Sequence, residues 1–91
     1  MPPPRRLNPR TVEHAALGEA IRRLRTEAGL TQEQLAEGAA TDLTQIGGIE
    51  RGIRNPSYTT LMRIAGALEQ PLGEVVALAD RIAADADRGT G

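Results

Sequence analysis

Residues 31–52 read TQEQLAEGAATDLTQIGGIERG, and the fold is decided there. Thr31 stands three residues before Gln34. That is the spacing of a capping box, in which the hydroxyl accepts from the backbone N–H three residues on and the glutamine reaches back. Leu35, Ala36 and Ala39 supply an inward face, so the pattern predicts a helix over 32–39. Asp42 repeats the start signal, with Gln45 three residues later. Leu43, Ile46 and Ile49 are the large apolar residues of the next helix, and Gly52 ends it. Gly47 and Gly48 fall in mid-helix, where each costs about 1 kcal/mol relative to alanine. Two short helices thus meet across Ala40-Thr41.

Outward from this centre the helical period continues. Upstream, Leu17, Ala20, Ile21, Leu24 and Ala28 form one stripe, giving a helix over 13–28 that stops at Gly29. Downstream, Ile53-Arg54-Asn55-Pro56 leads to Ser57, the cap of a helix running to Leu68 with Leu61, Ile64 and Ala65 on one side. Pro71 breaks it. A fifth helix is predicted over 73–84, with Val75, Val76, Ala79 and Ile82 on its apolar face. No segment alternates with period two, so the chain is predicted to be all-α with five helices. Residues 1–12, rich in Pro and Arg, and 85–91, acidic and Gly-containing, are expected to be flexible tails around one domain over 13–84.

Ninety-one residues make one small domain, for which a partner subunit is a natural source of further buried area. The absence of cysteine excludes disulfides and zinc-finger chemistry, and a reducing cytoplasm is the default compartment. No apolar run nears the roughly 20 residues of a membrane span, and no apolar stretch follows Met1-Pro2-Pro3-Pro4-Arg5-Arg6 to make a signal peptide. Net charge is −1, carried by eleven arginines and no lysine against twelve acidic residues. The distribution is uneven: residues 1–25 net +4 and residues 69–91 net −3. A basic face could therefore stand opposite an acidic one. Catalysis is not expected. His14 is the single histidine and has no metal-ligand companion, no phosphate-cradling Gly-x-x-x-x-Gly-Lys loop is present, and no nucleophile has a base in view. No cofactor, metal or small-molecule substrate is expected.

The residues Ile21-Arg22-Arg23-Leu24-Arg25, Gly29-Leu30-Thr31-Gln32, Leu35-Ala36, Ile46, Ile49-Glu50-Arg51-Gly52, Arg54-Asn55-Pro56-Ser57, Leu61, Ile64-Ala65 and Ala67-Leu68 recur at fixed offsets. Together they resemble the Cro/C1-type helix-turn-helix regulators of bacteria and phages, over about 15–78. The resemblance implies a λ-repressor-like DNA-binding domain with its motif over about 31–50. The second motif helix would enter a major groove while the first crosses the backbone. The run from Asp42 to Pro56 is also similar to the controller proteins of restriction–modification systems, although Leu43 departs from the arginine often found there.

The resemblance assigns roles. Thr31 and Gln32 would meet a phosphate at a helix N-terminus. Arg25, Arg51, Arg54 and Asn55 would add backbone contacts, and Arg25 with Glu50 would brace the recognition helix. Leu43, Thr44 and Gln45 would read bases, Gln45 by pairing with adenine; Gly48 would remove a contact. Arg5, Arg6 and Arg10 could form an arm. Leu72, Val75, Val76, Ala79 and Ile82 are more apolar than a last helix needs to close the bundle and would form the contact of a symmetric homodimer, with at least one of Val75 and Val76 expected to serve the core alone. The expected function is a transcriptional regulator, a repressor or autoregulatory controller on double-stranded DNA at the nucleoid. The alternative is an antitoxin or protein-interaction module on the same scaffold.

Overall fold

The computed structural model describes residues 11–89. Five helices follow one another: α1 (Val12–Glu27), α2 (Gln32–Gly38), α3 (Leu43–Glu50), α4 (Tyr58–Ala67) and α5 (Leu72–Gly89). No strand occurs among the described residues. The proposed arm residues Arg5, Arg6 and Arg10 lie outside them.

The caps act where the sequence placed them. Thr31 accepts from the Gln34 amide while Gln34 Oε1 accepts from the Thr31 amide, a complete capping box. Asp42 accepts from the Gln45 amide at 2.8 Å, and Ser57 from the Thr60 amide at 3.1 Å. One start comes earlier than expected, because Thr11 caps α1 through the His14 amide.

Each of the first four helices ends in the same way. At the end of α3, Ile53 N–H donates to Gly48 C=O and Gly52 N–H to Ile49 C=O, with Gly52 at φ +78°. This Schellman turn satisfies the last carbonyls through one left-handed residue. Gly29 serves α1 in that position, while Ala40 and Glu69 occupy it after α2 and α4 with φ +55° and +56°.

The core is aliphatic. Ile21, Leu35, Ile46, Ile49, Ile64 and Val75 are fully buried, so every helix contributes at least one side chain to it. Tyr58, the sole aromatic, is 70% exposed. α1 packs mainly on α5 and also on α3, α2 lies against α3 and α4, and α4 against α5.

Three expectations change. Ala28 is exposed and follows α1, so the buried stripe ends at Leu24. α5 continues to Gly89, past the Ala84 boundary of the expected C-terminal tail. Ala83, Ala84 and Ala86 are strong helix formers, and Arg88 pairs with Asp85 one turn back. Val75 is fully enclosed, the core role expected of it or Val76, while Ala79, 8% exposed, also belongs to the protomer's own core instead of an outer contact. Of the five residues expected at a dimer contact, Leu72, Val76 and Ile82 keep accessible surface.

Candidate nucleic-acid interface

The predicted contact residues lie on α1, at the start of α2, on α3 and in the turn after α3, and a single carboxylate ties the three helices together. Arg25 approaches Glu50 with a fork: Nε donates to Oε2 at 2.7 Å and Nη2 to Oε1 at 3.1 Å. The third arm, Nη1, donates to the Leu30 carbonyl at 2.8 Å. Gln32 Nε2 donates to Glu50 Oε1 at 2.9 Å. The last turn of α1, the α1–α2 turn, the first residue of α2 and the last residue of α3 are thereby fixed to one another.

This pair is no surface salt bridge. The Glu50 side chain is 3% exposed and that of Arg25 14%. A buried carboxylate requires such partners, because an unpaired one would forfeit its hydration without return. Gln32 therefore commits one of its two amide hydrogens inward, and Arg25 commits most of its guanidinium. That is a larger structural share than a pure phosphate contact would carry. Among the described residues no buried side-chain polar atom is left without a partner.

Beyond this brace, α3 presents its N-terminal half to solvent. Leu43 is 46% exposed, Thr44 is exposed and Gln45 is half-buried, while Ile46 and Ile49 point into the core. Asp42 receives the Gln45 amide, but the Gln45 side chain does not complete a capping box. Its Oε1 accepts instead from Arg54 Nη1 at 3.1 Å. Arg54 reaches it by lying over Gly48: a Cβ built on Gly48 would stand 2.5 Å from Arg54 Cδ and 2.7 Å from Cγ. Gly48 is therefore a bed for the arginine and not an empty reading position. Gly47 is similarly covered by Arg51, whose Nη1 would lie 3.1 Å from a Cβ there. Both glycines are buried, inside a helix whose Schellman turn aims Arg54 back along α3.

Thr31 is exposed as the cap of α2, and Asn55 is exposed beside Glu13, His14 and Leu17 in a shallow groove against α1. Sequence reasoning did not single out Gly18. Its hypothetical Cβ would stand 2.3 Å from Ile49 O and 2.5 Å from Glu50 O, so α1 touches the backbone of α3 there. A lone glycine inside an apolar helical stripe is the signal that marks such an approach. Glu19, next to it, accepts from Arg22 and Arg23, and Arg22 in particular holds its carboxyl down at about 2.

Residues 21–75 match the helix-turn-helix family. The immunity repressor protein of Bacillus phage phi105 is 42% identical over 60 residues, an alignment taking in 66% of this chain and 42% of the repressor. The control protein C.SmaI of Serratia marcescens is 44% identical over 52 residues, 57% of this chain and 62% of that protein. The chain thus aligns with less than two thirds of the length of either. The crystal structure of the restriction–modification controller protein C.AhdI from Aeromonas hydrophila superimposes with a TM-score of 0.70 at 37% identity. That match covers 71% of this chain and 98% of the controller.

Proposed function

The chain belongs to the helix-turn-helix family, and from that premise we propose that it is a sequence-specific DNA-binding transcriptional regulator. It acts as a symmetric homodimer on a short palindromic operator, as a repressor or an autoregulatory controller. The likeness to a phage repressor and to restriction–modification control proteins supports this reading. The observation that carries it is the combination of a locked base and an open tip on α3. Its C-terminal end is held by the Arg25–Glu50–Gln32 network, while Leu43, Thr44 and Gln45 are left for a groove. A reading helix needs both, since side chains must be held in register to discriminate bases.

Thr31, Gln32, Arg51, Arg54 and Asn55 are assigned to the DNA backbone, Arg25 and Glu50 to the brace. The working unit is residues 13–84 together with the rest of α5. Leu72, Val76 and Ile82 form the subunit contact. DNA as ligand places the protein in the cytoplasm, on the nucleoid.

The test is binding to DNA from the region upstream of its own gene, followed by fluorescence anisotropy across a salt series. A dimer that neutralises about six to ten phosphates gives a log–log slope of roughly −5 to −9. Absence of binding to any DNA, or a slope near zero, sinks the reading.

A further inference from the structure

The arginines of α1 spend their charge on carboxylates: Arg22 and Arg23 pair with Glu19, and Arg25 with Glu50. Arg54 is held differently. Its Nη1 donates to a neutral amide oxygen, Gln45 Oε1, at 3.1 Å, and among the described residues no carboxylate pairs with it. A guanidinium carries five N–H donors, so most of them and the whole positive charge remain for a phosphate. The residue is exposed.

A long exposed side chain ordinarily samples many rotamers, and ordering it on a ligand costs affinity. In Arg54 the fold does much of that ordering beforehand. Its backbone N–H donates to the Gly48 carbonyl at 3.2 Å, alongside Ile53 N–H at 3.0 Å, so the turn delivers the residue to the side of α3. Its stem then lies over Gly48. The three atoms nearest to a Cβ built there all belong to Arg54: Cδ at 2.5 Å, Cγ at 2.7 Å and Nε at 2.9 Å. Its head is held one turn back by Gln45. A side chain at position 48 would occupy the path of the stem.

We infer that Gly48 is a positioning residue for DNA binding: by leaving this side of α3 bare, it lets Arg54 be laid along the helix before DNA arrives. Affinity then depends on the glycine only through the arginine. The inference rests on the reading of the chain as a DNA-binding regulator and on the assignment of Arg54 to the DNA backbone.

Gly48→Ala separates this role from folding. The atoms it strikes belong to a flexible side chain, and alanine suits a helix better than glycine. The experiment is a double-mutant cycle with the parent, Gly48→Ala, Arg54→Ala and the combined variant. Fluorescence anisotropy on the upstream DNA gives the affinities, and circular dichroism melts are recorded on all four proteins.

In the parental background Gly48→Ala should weaken binding about tenfold, since a dimer orders two such arginines. Arg54→Ala should weaken it at least as much. In the Arg54→Ala background the glycine should no longer matter, so the combined variant binds like Arg54→Ala. Gly48→Ala should melt no lower than the parent.

If Gly48→Ala binds as tightly as the parent, or weakens binding by the same factor in both backgrounds, the inference falls. A melting temperature lowered by Gly48→Ala in both backgrounds overturns it too, because the glycine then serves the fold. If Arg54→Ala binds like the parent, the inference falls while the regulator reading stands. If the parent binds no DNA, both fail together.

Discussion

At Glu50 one carboxylate accepts three hydrogen bonds, from Arg25 Nε, Arg25 Nη2 and Gln32 Nε2, with almost no access to water. Glu50→Ala would strand the Arg25 cation in a largely enclosed place. The expected loss is about 3–5 kcal/mol, read from urea unfolding. The paired change Arg25→Met with Glu50→Leu leaves no buried charge unpaired and should recover part of that loss, the remainder being the bonds that the Leu30 carbonyl and the Gln32 amide forfeit. Gly18→Ala should cost about 2–3 kcal/mol by the same measurement, since its Cβ would meet the Ile49 and Glu50 carbonyls, which cannot swing aside. Glu19 gives a smaller, pH-dependent effect. With its folded value depressed to about 2, it favours the native state above its ordinary value of 4.5 and loses that contribution as pH falls towards 2. The pair is partly exposed, so the difference between parent and Glu19→Gln should stay below about 1 kcal/mol at pH 6 and vanish near pH 2. The pairing of Arg25 with Glu50 was legible through family resemblance. Its burial and the third partner Gln32 were not, because they depend on how closely α1 and α3 approach, and Gly18 marks that a close approach occurs without naming the element that makes it. Gly48 was misread for the same reason: its value lies in what Arg54, six residues on, does with the empty space.

Helix starts could be read because a side-chain cap is a local event. Thr31, Asp42 and Ser57 each bond an amide three residues on, whatever the rest of the chain does. Helix ends were legible where glycine marks them, at Gly29 and Gly52, and silent where it does not. Ala40 holds φ +55° in the turn between α2 and α3, closing the turn through Ala40 N–H to Glu37 C=O and Thr41 N–H to Ala36 C=O. An L-residue pays a conformational cost there that glycine avoids. Ala40→Gly should therefore stabilise the fold by roughly 0.5–1 kcal/mol, seen as a rise of a few degrees in Tm with DNA binding retained. The reach of α5 was underestimated for the opposite reason. Composition after Ala84 is acidic, but alanine-rich helix needs no apolar stripe to continue when its last turn carries an Asp85–Arg88 pair.

At the scale of the whole molecule, the question is what becomes of α5 once the protomer's own core is filled. Val75 and Ala79 close that core from inside, leaving Val76 41% exposed, with Leu72, Leu78 and Ile82 half-buried along the same helix. The apolar periodicity of α5 was legible in the sequence, but its division between core and outer surface was not. That division depends on how α1 lies across the helix. Two charged substitutions one turn apart therefore have different consequences. Ala79→Glu forces a carboxylate into an enclosed position and should lower Tm markedly whether or not a partner is present. Val76→Glu meets open space in the protomer, so the fold should persist while the proposed subunit contact is lost, and sedimentation should report a monomer. The DNA consequence is quantitative. A monomer neutralises half the phosphates of a dimer, so the slope of log affinity against log salt should fall to about half the parental value. A Val76→Glu protein that sediments as the parental dimer moves the two-fold axis off this face of α5. One that sediments as a monomer yet keeps the full salt slope shows that its subunits reassemble on DNA without α5.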